Sequence, residues 1–256
     1  MAEYGTVRRA GAGVRTAQID EGLRAHMNRV YGTMSVGMVI TALAAWAVAG
    51  LAVSSVPTAY QVGPDQFLTS FGATLYTSPL KWVVMFAPLV MVFALSAGIQ
   101  RMSESAAQMA FWVFSALMGL SISWIFSVYT GYSIAQIFFV TAIAFAGLSL
   151  WGYTTKKDLS GWGTFLIMGV IGLVVASLVN IWLQSPAVMF AVSALGVLIF
   201  AGLTAYDTQN IKNVYLQLVA SNEQFLGKAA IIGALQLYLN FLNMFMMLLQ
   251  LFGNRN

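Results

Sequence analysis

The sequence predicts an all-α, polytopic membrane protein of seven helices, and three observations carry that prediction. Hydrophobic residues make up 59% of the 256-residue chain and charged residues only 8%, whereas a soluble domain carries about 25% charged residues. Mean hydropathy is +0.80. The apolar residues also fall into runs of about 20, long enough to cross a hydrocarbon core of about 30 Å. A chain with so few charges could not cover a water-facing surface.

Residues 1–31 read as a cytoplasmic polar arm carrying Arg8, Arg9, Arg15, Arg24 and Arg29, and residues 32–256 as the transmembrane domain. The first run spans about Met34 to Val53. A secretory signal would have a shorter apolar region and a cleavage site, so this run is expected to stay as a membrane helix. Ser54 to Ser78 read as a loop with Pro57, Pro64 and Asp65. Six further runs follow, at about Leu80–Ile99, Ala106–Val128, Ile134–Tyr153, Trp162–Leu183, Ala187–Asp207 and Ala229–Leu251. Most are joined by short connections, which makes antiparallel neighbours. The last has a polar middle, and a re-entrant course is its alternative.

Basic residues sit on alternate connections: the arm, Arg101, Lys156 with Lys157, and Lys212 with Lys228. This positive-inside pattern puts the N-terminus in the cytoplasm of a bacterial inner-membrane protein. Seven spans then leave the C-terminus outside, which Arg255 opposes. The same basic residues form no continuous patch, which argues against nucleic-acid binding. With no cysteine in the chain, disulfides and thiolate chemistry are excluded.

Small residues mark packing faces. Ser115, Gly119, Ser123 and Ser127 recur every fourth residue, and Gly169, Gly172, Ala176 and Asn180 do much the same; such spacing lets helix backbones approach closely in a bilayer. On the last helix Gln236, Asn240, Asn243, Met247 and Gln250 form one stripe. Amides are unfavourable against lipid, so the stripe predicts that this helix lies at the centre of the bundle. It reads either as interhelical glue or as the lining of a hydrated path.

Asp207 is the only carboxylate reached through about five turns of apolar helix without an intervening charge. A charge at the centre of a bilayer helix costs about 2.5–3.5 kcal/mol on insertion scales, so such a group pairs, faces the bundle interior or titrates. Enzyme chemistry is not indicated and no cofactor is expected. The one histidine, His26, lies on the polar arm, zinc-binding His-Glu-x-x-His is missing, and Asp207 has no second deep carboxylate to share a proton.

Four segments resemble the Bax inhibitor family of membrane proteins, in its bacterial YccA-like branch. They are Ala116-Leu-Met-Gly-Leu-Ser-Ile-Ser-Trp-Ile-Phe126, Trp151-Gly-Tyr-Thr-Thr-Lys-Lys-Asp-Leu-Ser160, Ala205-Tyr-Asp-Thr-Gln-Asn-Ile-Lys212 and Leu237-Tyr-Leu-Asn-Phe-Leu-Asn-Met-Phe245. The resemblance implies seven helices with the last at the centre, and a pH-sensitive calcium leak. It implies a hydrogen-bonded aspartate pair on the sixth and seventh helices, and an arginine latch at the cytoplasmic end of the second. Asp207 matches the first aspartate and would be the calcium ligand; Arg101 matches the latch. The second aspartate falls on Asn240.

That departure matters physically. Two carboxylates in contact titrate as a coupled pair, whereas Asp207 with Asn240 has a single proton site. An amide can hydrogen-bond the carboxylate but adds no charge for a divalent cation. The expected sensor or gate is therefore Asp207, Asn240 and Arg101, with Gln236, Asn243 and Gln250 lining the bundle or a pore. By length alone the pair is not obvious. Asp207 lies about 30 Å along its run and Asn240 about 17 Å along the next, at about 1.5 Å per residue. The competing reading implied by the resemblance is a non-conducting regulator that binds an ATP-dependent membrane protease of the FtsH type. Residues 1–31 and the 208–228 segment, with Asn213, Gln217, Asn222 and Glu223, would be its handles.

Overall fold

The computed structural model describes residues 3–63, 66–221 and 225–255, with side chains from residue 18 onward. In chain order the elements are α1 (Glu3–Ala52), β1 (Val53–Ser54), β2 (Gln61–Gly63), β3 (Gln66–Leu68), α2 (Ser70–Thr77), α3 (Leu80–Gly98) and α4 (Glu104–Ile122). Then come α5 (Ile125–Val128), α6 (Gly131–Thr154), α7 (Ser160–Leu183), α8 (Pro186–Ser221) and α9 (Leu226–Phe252). Among the described residues seven helical segments are long and apolar enough to span a bilayer: Gln18–Ala52, α3, Glu104–Val128, α6, α7, α8 and α9. Only a helix satisfies every backbone group within its own segment in lipid, and the apolar runs fold accordingly.

Local chemistry sets the ends. Ser103 and Thr130 cap α4 and α6, their hydroxyls accepting from the backbone N–H of Ala106 and Ser133. α7 stops at Gln184, whose φ of 48° lies in the left-handed region. The Asn180 side chain accepts from the Ser185 N–H at 2.9 Å. Pro186 then opens α8, where a missing N–H costs nothing.

Three expectations change. The arm does not end at residue 31, because that boundary falls inside α1. Leu23, Met27 and Val30 recur at helical spacing between the charges and are buried in the core with His26, whose ring meets that of Tyr215 of α8 at a tilt, centroids 5.0 Å apart. The side chains of Arg8, Arg9 and Arg15 lie outside the described residues. The 54–78 segment is a small antiparallel sheet, in the order β1-β3-β2, followed by α2; Pro64 and Asp65 lie outside the described residues. Third, α8 runs on to Ser221, because Ile211 and Tyr215 continue the buried face past Asp207.

The α4 small-residue face packs as expected: Ser115, Gly119 and Ser123 are buried, and a Cβ on Gly119 would overlap the Thr41 carbonyl of α1. Gly152 of α6 sits equally close to the Ala205 carbonyl of α8. On α7 the expected face is only partly right. Gly169 meets Ile199, but Gly172 faces open space, and the buried positions are Gly163, Leu166 and Leu173. α9 packs against α1, α4, α6 and α8, while α3 lies chiefly on α4 and α7 on α8. α9 is the most buried of the spans.

Candidate functional site

The extension of α8 brings Asp207 level with Asn240 of α9. Both are buried, and Asn240 Nδ2 donates to Asp207 Oδ2 at 2.6 Å. The pair that length counting left apart is therefore formed, because α8 does not stop near Lys212.

The residues after Asp207 each hold a different neighbour. Thr208 shares a hydrogen bond with Ser149 of α6 at 2.8 Å, and Ser149 shares another with the Tyr31 hydroxyl of α1 at 2.6 Å. Gln209 accepts from the Leu159 N–H and donates to the Lys157 carbonyl, each at 2.8 Å, so it staples the α6–α7 connection to α8. Lys212 Nζ donates to the Tyr153 carbonyl at 3.1 Å and lies over the Tyr153 ring. The 151–160 and 205–212 segments are thus the two halves of one contact. On α9, the fully buried Tyr238 shares a hydrogen bond with Thr41 at 2.6 Å, wedged edge-on against Phe111 and Phe114. Thr41 also donates to the Ser115 carbonyl.

Of the stripe, Asn240 is engaged with Asp207, and Gln250 Oε1 accepts from Ser193 at 2.6 Å. Asn243 donates back to the Leu239 carbonyl of its own helix, and Gln236 is half-buried. Asn240, Asn243 and Met247 border a crevice of about 620 Å³ between α7, α8 and α9. A larger cleft, about 880 Å³, lies between α1 and α6.

Arg101 does not reach Asp207. It is exposed in the α3–α4 turn, where its N–H donates to the Gly98 carbonyl. Its place follows from packing, since α3 lies chiefly on α4. The ion pair at this turn is Arg29 with Glu104, and Lys228 Nζ donates to the Gln100 carbonyl at 3.0 Å. Among the described residues no group of three or more His, Cys, Asp or Glu could hold a metal ion. Asp207 with Asn240 presents fewer oxygens than the about six to eight a calcium ion takes. Outside the spans, the exposed Asp158 accepts from the Ser160 N–H at 2.9 Å, which holds its carboxyl below the usual range.

Thr208, Gln209 and Tyr238 lie inside the segments that carried the resemblance, and their roles follow once those segments face each other. Tyr31, Thr41 and Ser149 gave no signal, Thr41 and Ser149 being single hydroxyls in apolar runs and Tyr31 the last residue of the polar arm.

Seven apolar helical segments, two of which hold a buried carboxylate–amide contact, define a multi-pass membrane protein. A family model described as Inhibitor of apoptosis-promoting Bax1 matches residues 23–256. The chain is 46% identical over 235 residues to the inner membrane protein YbhL of Escherichia coli, covering 91% of this chain and 93% of YbhL. It is 43% identical over 235 residues to an uncharacterized protein of Caulobacter vibrioides, covering 92% and 90% of the two. It is also 36% identical over 228 residues to one of Borreliella burgdorferi, covering 89% and 90%. The chain belongs to the Bax inhibitor family.

Proposed function

We propose that this protein is a non-enzymatic, pH-sensitive cation leak pathway of the bacterial inner membrane, shut at the Asp207–Asn240 contact and weakened for calcium by Asn240. The observation that supports it is a carboxylate buried within a membrane span and held by one amide donor, with no cation paired to it among the described residues. An ionisable group in that setting is expensive and by default functional. The positive-inside pattern supports a cytoplasmic N-terminus, with the α1–α8 contact at His26 and Tyr215 towards the same side.

Purified protein in liposomes tests it, with calcium and monovalent flux followed from about pH 5 to 8, a range in which a shared carboxylate proton titrates. The wild type should show a shallow, single-site pH response. Asn240→Asp should make it steeper by creating a coupled pair, and Asp207→Asn should remove it. Three superimposable curves would end the leak reading. The alternative, a regulator of an FtsH-type membrane protease, is favoured by the length of α8. Its 36 residues extend about 54 Å, well beyond a core of about 30 Å. Co-purification of the protease with a chain that conducts nothing would support that reading instead.

A further inference from the structure

The lining of the cleft between α1 and α6 changes character from end to end. The floor is Phe145 and Phe241, in edge-to-face contact at 5.5 Å. The apolar stretch along α1 runs to Leu43, and the polar end holds Asn28 and Arg24. Arg24 is the one charged side chain lining the cleft, and among the described residues no carboxylate pairs with it.

Lengths match one leaflet. From Tyr31 to Leu43 the helix rises about 18 Å, close to the about 15 Å half-thickness of a hydrocarbon core. Asn28 and Arg24 stand about 5 and 10 Å further out, where a headgroup layer of about 5–8 Å begins and ends. A basic pocket between membrane helices, with an apolar trough below it, matches a phosphate with an acyl chain.

We infer that the α1–α6 cleft binds an anionic phospholipid of the surrounding bilayer, its chain along Val39, Leu43 and Phe138 and its phosphate on Arg24 and Asn28. The site borders Tyr31, whose hydrogen bond to Ser149 continues to Thr208 beside Asp207. The inference does not depend on ion conduction, because its test reads lipid binding alone.

Full-length protein in detergent is titrated with phosphatidylglycerol or phosphatidylcholine, and bound lipid is counted by native mass spectrometry. Phosphatidylglycerol should be retained about fivefold more strongly, the factor one basic residue supplies at an anionic surface. Arg24→Gln should bring the two lipids to parity, while Lys81→Gln, at a distant exposed position, should keep the preference. Ala146→Trp, which fills the trough, should lower retention of both lipids and provides a second reading should Arg24→Gln fold poorly. Equal retention by the wild type, a preference surviving in Arg24→Gln, or unchanged retention in Ala146→Trp would each overturn the site.

Discussion

α7 and α9 are both single membrane helices, yet they are built on opposite plans. The most apolar stretch of α7 has a mean hydropathy of 2.4 and is 11% buried, whereas that of α9 has 1.6 and is 61% buried. In water the buried helix would be the more apolar. In lipid the order inverts, because the side chains that meet the solvent must resemble it, and helices associate by close packing and polar contacts instead. α9 accordingly carries Asn240 and Tyr238, each with a partner, while α7 shows lipid Trp182, Phe165 and Ile181.

The contrast between interior and lipid-facing positions can be tested at the close contact of α6 with α8. Gly152→Leu should cost about 3 kcal/mol, because the added side chain meets the Ala205 backbone, which cannot yield as a flexible side chain could. Gly172→Leu on α7, which faces open space, should leave stability unchanged. Thermal unfolding in detergent compares the two, and equal shifts would refute the packing assignment.

A smaller effect sharpens the comparison. Tyr238→Ala should cost about 2 kcal/mol. In a bilayer the transfer part of a truncation shrinks, since the unfolded helix also sits in lipid, but the cavity and the lost contacts remain. Trp182→Ala removes a larger side chain that is 81% exposed and should shift the unfolding midpoint hardly at all.

The smallest effect concerns the start of α7. The Asp158 carboxyl is held low by the Ser160 N–H, so its contribution is present above the ordinary carboxylate pKa and is lost as pH falls through the lowered one. Hydrogen exchange of the Ser160 amide should therefore show reduced protection in acid, and Asp158→Asn should make that protection independent of pH. Because Asp158 is fully exposed, global stability should not follow.

The spans and their number were legible because a bilayer imposes a length and a composition on every run. What escaped is also physical. The ends of α1 and α8 are amphipathic rather than apolar, so Leu23, Met27, Ile211 and Tyr215 hide within stretches that read as arm and loop. That concealed the reach of α8, and with it the Asp207–Asn240 contact, which only the family resemblance indicated. Arg101 was assigned by position along the chain, yet helix neighbours decide what a side chain can touch, and α3 packs chiefly on α4. The amide stripe named the residues of one face, but a stripe does not say that Asn243 turns back on its own helix.

α8 is unbroken from Pro186 to Ser221, and no joint separates Asp207 from Tyr215, about 12 Å further along at 1.5 Å per residue. A rod of that kind transmits torque. A partner, lipid surface or change of charge that turns α8 at the Tyr215–His26 contact must turn Asp207 through the same angle. A contact as short as 2.6 Å between two side chains tolerates little rotation before it parts. Asp207 and the Tyr215–His26 contact thus belong to one continuous lever.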